Sequence, residues 1–167
     1  GAYVQRFGAV DPTLRVTTLA AAGGKLDLTD GSLIVNYSGP SPINDIRNAL
    51  LTGRNGGTWN GAGIMSSTIG AGYALGYAEA TQIRTSFPAT FGAFADVDST
   101  SIVVRYTLLG DANLDKIVSF DDLLLVAQNY NPAIGGRVWA QGDFDYNGIT
   151  SFDDLLALAQ QYGNSFS

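Results

Sequence analysis

The last third of the chain is built from two copies of one segment. GDANLDKIVSFDDLLLVAQNYN (residues 110–131) and GDFDYNGITSFDDLLALAQQYG (residues 142–163) are identical at 12 of 22 positions. Each copy consists of an acidic loop followed by an apolar stretch with the spacing of an amphipathic helix. One such helix could not bury its apolar face alone, so the repeat predicts that the two copies pack together.

The apolar positions of each helix suggest which face is buried. They fall on one side of a helical wheel in both copies, and we expect these two stripes to pack against each other. The stripes consist of Phe120, Leu123, Leu124, Ala127 and Tyr130 in the first copy, and of Phe152, Leu155, Leu156, Ala159 and Tyr162 in the second.

The acidic loops have the ligand spacing of an EF-hand. Such a loop carries oxygen side chains at positions 1, 3 and 5, a backbone carbonyl at position 7 and a carboxylate at position 12. With position 9 included, the first copy places Asp111, Asn113, Asp115, Ile117, Ser119 and Asp122 there, and the second Asp143, Asp145, Asn147, Ile149, Ser151 and Asp154. Oxygen donors without nitrogen or sulfur suit Ca²⁺. We therefore predict two bound Ca²⁺ ions.

The distribution of charge supports this prediction. Residues 107–167 contain eight acidic and two basic residues, which accounts for the whole net charge of −6, whereas residues 1–106 are balanced. Carboxylates crowded in this way repel each other unless a cation lies among them, so metal binding would supply folding free energy. The same negative charge argues against a nucleic-acid partner for this segment.

A paired loop and helix that begins Gly-Asp-x-[Asn/Asp], without the helix that precedes the loop of a full EF-hand, resembles the type I dockerin module. The resemblance covers residues 110–163. It implies two Ca²⁺ sites, two antiparallel helices in pseudo-twofold relation, an extracellular bacterial setting and a cohesin-like protein partner. Two features depart from the pattern: Lys116 stands at position 6, where Gly is favoured, and Phe120-Asp121 and Phe152-Asp153 occupy the positions that carry cohesin recognition.

The first part of the chain is predicted to consist of strands and one helix. Leu14 to Ala21 and Lys25 to Leu28 flank Gly23-Gly24, which indicates a hairpin. Pro42 begins a helix with a C-cap at Gly53, and SIVVRYTL at 101–108 has the pattern of a strand. This half looks similar to C-terminal regions of large secreted proteins of planctomycete-type bacteria. The similarity lies in the segments KLDLTDGSLIVNYSG and SPINDIRNALLTGRNGGTWNGAGIMSS.

Other chemistry finds little support in the sequence. The chain has no Cys and no His, which excludes Ser/His and Cys/His nucleophiles. Carboxylates outside the loops, such as Asp27 with Asp30 or Asp96 with Asp98, lie in turn-like segments, where Asp usually makes local hydrogen bonds. Trp59 in GGTWNGAG could stack on a sugar ring, or else pack into the core. No apolar run is long enough to span a bilayer.

The sequence therefore predicts an α+β chain. Residues 1–108 would form a β-rich module with one helix, and residues 109–167 an all-α, dockerin-like pair of calcium loop–helix repeats. We expect a non-catalytic protein, extracellular or on the bacterial cell surface. Its calcium module would dock either to a protein partner or onto its own β-rich neighbour. The alternative is a calcium-stabilised carbohydrate-binding module centred on Trp59, with a polysaccharide as ligand.

Overall fold

A computed structural model describes residues 2–4, 12–19 and 23–166 of the chain. The described residues form nine strands: β1 (Ala2–Val4), β2 (Thr13–Val16), β3 (Lys25–Asp27), β4 (Ser32–Asn36), β5 (Gly63–Met65), β6 (Tyr73–Glu79), β7 (Ala89–Phe91), β8 (Phe94–Val97) and β9 (Ser101–Leu108). The α-helices are α1 (Ile43–Arg54), α2 (Ala80–Ile83), α3 (Phe120–Asn129) and α4 (Phe152–Gln161). Single 3₁₀ turns lie at Asn55–Gly57 and Trp139–Gln141.

The central element is a four-stranded sheet in the order β2-β4-β9-β6. Strands β2 and β4 are parallel, and β9 pairs antiparallel with β4 on one side and β6 on the other. Seven of the eight residues of β9 are buried, as expected for a β-branched strand covered on both faces. The predicted strand at 101–108 is therefore confirmed, and α1 confirms the helix predicted after Pro42. The predicted C-cap at Gly53 is wrong, because Gly53 lies within the helix and the C-cap is Asn55, in the left-handed conformation.

Two smaller sheets flank this one. Strands β1, β3 and β5 form a parallel sheet in the order β1-β3-β5, and β7 and β8 form a hairpin. The hairpin predicted around Gly23-Gly24 is wrong. Its two arms enter different sheets, because β2 pairs with β4 and β3 pairs with β1 and β5. Residues 20 and 21 of the predicted first arm, and residue 22 after it, lie outside the described residues.

The predicted fold class is also wrong, because the described residues form a mixed structure with about 28% helix and 26% strand rather than a β-rich module followed by an all-α pair. Those before position 108 contain two α-helices, α1 and α2, instead of one. The C-terminal part is not purely helical, since Ile117 forms an antiparallel bridge with Ser165 and a 3₁₀ turn lies between α3 and α4.

The C-terminal repeat packs directly on the central sheet. One hydrophobic core contains residues from both sides of position 108. Trp139 and Leu114 lie over Gly76 of β6, and the Tyr146 hydroxyl donates a hydrogen bond to the Leu75 carbonyl of the same strand over 2.5 Å. The repeat thus uses β6 as part of its packing surface, so its helices and the strands of the sheet share one core. The division into two domains at residue 108 stays a prediction.

Candidate metal centre

Each acidic loop brings three carboxylates together. Oxygen atoms of Asp111, Asp115 and Asp122 all lie within 4.8 Å of one another, and the same holds for Asp143, Asp145 and Asp154. In each loop the first and last aspartates are buried, with at most 2% of the residue exposed, and the middle one is open to solvent to a greater degree. The structure thus assembles the carboxylates of positions 1, 5 and 12 in the first loop, and of positions 1, 3 and 12 in the second.

Asp111 shapes the first loop through its own carboxylate. One oxygen accepts the backbone N–H of Asp115 over 3.0 Å, and the other accepts that of Lys116 over 2.9 Å. The second oxygen also accepts the hydroxyl proton of Thr107, which lies at the end of β9. The loop is therefore folded around the first carboxylate and tied by it to the central sheet.

Asp122 closes the first loop from the start of α3. Its Oδ1 accepts the backbone N–H groups of Ala112 and Asn113, over 2.8 and 3.2 Å. Its Oδ2 accepts the N–H of Ser119, the N-cap residue, over 2.9 Å. This return bond is one half of a capping box, and a carboxylate in the first turn is also favoured by the helix dipole. Asp122, although shorter than the Glu usual at position 12, thus contacts the backbone at both the beginning and the end of the loop.

The second loop repeats this arrangement. Asp143 accepts the N–H groups of Asn147 and Gly148, over 3.1 and 2.9 Å. Asp154 accepts those of Phe144 and Ser151, over 2.8 and 2.9 Å. Because the equivalent bonds occur in both copies with nearly equal lengths, the loop geometry belongs to the repeated sequence and not to its surroundings.

The remaining predicted ligands lie in the same loops. The side chain of Asn113 accepts the N–H of Asp115, and that of Asn147 accepts the N–H of Ile149. Asp145 makes the corresponding contact with the N–H of Asn147. Ile117 is half-exposed and was predicted to contribute only its carbonyl oxygen, which the side chain does not affect. Ser119 and Ser151 are the N-cap residues of α3 and α4, and Ile149 stands at position 7 of the second loop.

Left-handed residues give both loops the same course. Position 4 has a positive φ in each copy, 59° at Leu114 and 65° at Tyr146, and so does position 6, with 73° at Lys116 and 82° at Gly148. Glycine adopts this conformation without strain, whereas lysine does so at some energetic cost. The first loop makes the sharp turn despite Lys116, so its departure from the glycine pattern leaves the backbone course unchanged.

The buried carboxylates are electrostatically unfavourable as anions. Burial raises the pKa of Asp111 to about 7, against the hydrogen bond from Thr107, and the charges of Asp122 and Asp115 add to the rise. Burial likewise raises the pKa of Asp143 to about 7, with contributions from Asp145 and Asp154. The pKa of Asp122 rises to about 6 for the same main reason. Each loop therefore holds negative charge that a cation would stabilise.

The two repeats pack in a reciprocal way. Gly110, before the first loop, lies against Leu158 of α4, and Gly142, before the second, lies against Val126 of α3. A Cβ atom would come within 2.8 Å of the facing helix at the first glycine and 2.9 Å at the second, and both have a positive φ. The N–H of Gly163 donates to the Val118 carbonyl, as that of Asn131 does to Thr150. The contacts relate the copies by a pseudo-twofold axis.

The predicted apolar stripes do not form the buried face of the helices. Val126 of α3 and Leu158 of α4 are the buried apolar residues, whereas Phe120 and Phe152 are each 61% exposed. Leu124 and Leu156 are 44% exposed. The orientation of the helices follows from Asp122 and Asp154. Because these carboxylates bond to the loop backbone, the side of each helix that carries them faces inward.

Trp59 lies inside the protein. Only 3% of the residue is exposed, and its ring meets that of Tyr146 edge-on with centroids 5.8 Å apart. No face of its ring is open to a sugar, so Trp59 does not support the carbohydrate alternative. Its contact with Tyr146 instead joins the glycine-rich loop to the second acidic loop.

The other carboxylates considered for catalysis are engaged in hydrogen bonds and an ion pair within the protein. Asp27 accepts the N–H groups of Thr29 and Ser67, both over 2.9 Å. Asp96 forms an ion pair with Arg15, and Asp98 accepts from Thr100 and neighbouring residues. The bonds from Thr29 to Asp27 and from Thr100 to Asp98 are those usual for Asp in turns, whereas Asp96 lies in β8 and pairs with β2.

Two further residues contact the first aspartates of the loops and were not among the predicted site residues. Thr107 donates to Asp111, and the guanidinium of Arg47 lies 3.7 Å from a carboxylate oxygen of Asp143. Thr107 precedes Asp111 by four residues in the sequence, so its hydroxyl could have been recognised as a nearby donor. Arg47 is far from the loop in sequence, on α1, and no sequence pattern reveals a contact of this kind.

The donor chemistry of both loops fits a hard divalent cation. Each cluster offers three carboxylates and further oxygen atoms, with no nitrogen or sulfur ligand, and the spacing follows the EF-hand order. No family model, curated protein or solved structure gives a significant match to the chain. Within the described residues, no helix has the length and apolar character needed to cross a membrane.

Proposed function

We propose that the chain is a non-catalytic calcium-binding module of a secreted or cell-surface protein, in which two Ca²⁺ ions stabilise the tandem repeat on the central sheet. The observation that carries the proposal is the pair of equivalent three-carboxylate clusters, each with two aspartates that are almost fully buried. Buried anions without a counter-charge are strongly destabilising. Two such clusters at equivalent positions of one repeat are better explained by a common ligand than by separate turns.

The residues that would hold the ions are those of the ligand pattern. The first ion would be held by Asp111, Asn113, Asp115, the Ile117 carbonyl and Asp122, and the second by the equivalent residues of the second loop. When bound, Ca²⁺ supplies the positive charge that lets these carboxylates stay ionised. The loops carry Leu114 and Tyr146 at position 4, and both side chains pack against β6. Ordering the loops would therefore also order their contact with the sheet.

An extracellular location agrees with this role. Extracellular calcium modules work with dissociation constants of roughly 10⁻⁴ to 10⁻³ M, in surroundings where the ion is abundant. We accordingly propose that the protein acts outside a bacterial cell, with Ca²⁺ as a permanent structural component.

Thermal unfolding tests the proposal. At a calcium concentration one hundred times the dissociation constant, one site stabilises the folded state by about 2.7 kcal/mol. For a chain of this length each kcal/mol raises Tm by roughly 2–4 °C. With two sites we expect Ca²⁺ added to chelated protein to raise Tm by roughly 10–20 °C, and Asp111→Asn with Asp143→Asn to abolish the response.

The helices provide matched controls. Asp121→Asn and Asp153→Asn remove the same charge from exposed positions next to Asp122 and Asp154, and both variants should keep the full calcium response. A Tm that is the same with calcium and with chelator would refute the proposal. Loss of the response in the two control variants would show that general charge, and not the clusters, is responsible.

A second candidate function, docking to a protein partner, is favoured by one observation. Phe120 and Leu124 on α3, and Phe152 and Leu156 on α4, expose apolar surface at equivalent places of the two repeats. Exposed aromatic residues are frequent anchors in protein interfaces. If these faces dock to a cohesin-like protein, Phe120→Ser with Phe152→Ser should abolish calcium-dependent capture of a purified cohesin while leaving the calcium response of Tm intact. Capture unchanged by the two substitutions would exclude this surface.

A further inference from the structure

Arg47 brings a positive charge to one of the two loops. It lies on α1, and its Nη2 atom is 3.7 Å from Oδ2 of Asp143. The same nitrogen donates a hydrogen bond to the carbonyl oxygen of Tyr146 over 3.4 Å. The side chain of Asp143 is 1% exposed and that of Arg47 22%, so this ion pair is largely shielded from water. Arg47 thus contacts the first and fourth positions of the second loop.

The corresponding carboxylate of the first loop has a neutral side-chain partner. Asp111 occupies the same ligand position as Asp143, and its carboxylate receives the hydroxyl of Thr107. Among the described residues, the salt bridges of Arg47 and Arg15 are made with Asp143 and Asp96, and neither reaches Asp111. Each loop also has an arginine on the carbonyl oxygen of position 4, since Arg105 donates to that of Leu114 over 2.7 Å. The loops share their ligand spacing and backbone course but differ in the side chain that contacts the first carboxylate.

We propose that Arg47 acts as an internal counter-cation of the second loop, which stabilises that loop without metal and lowers its affinity for calcium. This inference rests on the calcium-binding function proposed above. It assigns to the second site a determinant of affinity that the repeated sequence does not contain, because the residue responsible lies outside the repeat.

The physical basis is competition between two cations for one carboxylate. In the metal-free protein the guanidinium offsets part of the charge of Asp143. A bound Ca²⁺ ion takes over that carboxylate and adds two positive charges close to Arg47, where the low exposure leaves the repulsion poorly screened. A group that stabilises the empty loop more than the loaded loop weakens calcium binding by the factor that corresponds to this difference.

The surroundings of Tyr77 show that both charges act on one buried region. This residue is 1% exposed, so it lies in the interior beside the second loop. Burial raises the pKa of Tyr77 to about 12; the charge of Arg47 lowers it and that of Asp143 raises it. A third side chain thus responds to both members of the ion pair in the same interior space.

Calorimetric titration with Ca²⁺ on the full chain tests the inference one site at a time. In an Asp111→Asn background only the second site remains, and there Arg47→Gln should tighten calcium binding by roughly tenfold, within the range typical of coupled sites. In an Asp143→Asn background only the first site remains, and Arg47→Gln should leave its affinity unchanged. Arg47→Met should act as Arg47→Gln does, so the test survives if one variant fails to fold.

Arg54 provides the matched control. It lies on the same helix, and its guanidinium is over the ring of Tyr146, 6.0 Å from the centroid. The salt bridge to Asp143 comes from Arg47 and not from this residue. Arg54→Gln should change the second site much less than Arg47→Gln, and an equal change would show that net charge alone is responsible. In chelated protein Arg47→Gln should lower Tm, and saturating calcium should remove that difference.

The possible failures are distinguishable. If the second site binds calcium with the same affinity in Arg47→Gln and wild type, the role of Arg47 is overturned while calcium binding stands. If wild type takes up no calcium at either site, the proposed function fails, and the inference about Arg47 fails with it.

Discussion

The indole of Trp139 donates a hydrogen bond to the backbone carbonyl of Asp111 over 2.8 Å. Trp139 lies in the connection between the two repeats and Asp111 is the first acidic residue of the first loop, so this bond ties the connection to that loop. The indole is fully buried and lies over Gly76 of β6. A single tryptophan thus joins the connection, the first loop and the central sheet.

This relationship predicts that Gly76 cannot carry a side chain. A Cβ atom there would lie 2.5 Å from Cε2 of Trp139 and 2.7 Å from Cδ2 of Leu114. Because the indole is enclosed, it cannot move away freely, and overpacking of this kind costs about 1–3 kcal/mol. We expect Gly76→Ala to lower the midpoint of urea unfolding accordingly. Gly135→Ala, at an exposed position where the nearest atom to a Cβ would be 3.9 Å away, should have little effect, and equal losses in both variants would contradict the packing role.

The buried aspartates predict an unusual pH dependence for metal-free protein. The pKa values of Asp111 and Asp143 rise to about 7 in the folded state, from an ordinary value of 3.8. The folded protein therefore holds more protons than the unfolded chain between these values, and stability falls as pH rises. The stabilisation from these groups is complete below about pH 4 and is lost as the pH passes about 7.

Thermal unfolding in chelator at several pH values checks this prediction. Tm of wild type should fall from pH 4 to pH 7, and the fall should be smaller in Asp111→Asn with Asp143→Asn. With calcium the trend should reverse over the same range, because the ion binds the ionised carboxylates and competes with protons. A chelated Tm that rises between pH 4 and pH 7 would contradict the raised pKa values.

Local features of the fold could be predicted from the sequence because their causes are local. The helix after Pro42 and the strand at 101–108 follow from turn residues and β-branched composition. The composition of the acidic clusters follows from the repeat itself. These features depend on residues within a few positions of each other, which a single sequence displays.

The errors have non-local causes. The supposed hairpin at Gly23-Gly24 failed because each arm finds a better partner elsewhere in the chain. The buried face of α3 was misjudged because Asp122 must point into its loop, which turns Phe120 outward. Arg47 could not be found at all, since only the packing of α1 against the repeat brings it to Asp143.

The interior position of Trp59 predicts a stability effect in place of a binding effect. With 3% exposure and an edge-on contact to Tyr146, replacing Trp59 by Ala should leave a large cavity and cost about 3–5 kcal/mol. Trp59→Phe keeps an aromatic ring and should cost less. Urea unfolding measures both effects. Binding to a polysaccharide panel that is lost in Trp59→Phe without a stability change would favour the carbohydrate alternative after all.

The two sides of α4 predict opposite responses to substitution. Phe152 is 61% exposed, whereas Leu158 is 1% exposed and receives Gly110 against its backbone and Cβ atom. Leu158→Ala removes buried methyl groups and should destabilise the protein by about 2–5 kcal/mol. Phe152→Ser alters an exposed position and should change the free energy of unfolding by no more than about 0.5 kcal/mol. Urea unfolding of both variants in saturating calcium compares the two sides directly. If the chain had the stripe expected from its periodicity, with Phe152 packed inward, the phenylalanine substitution would be the more damaging of the two.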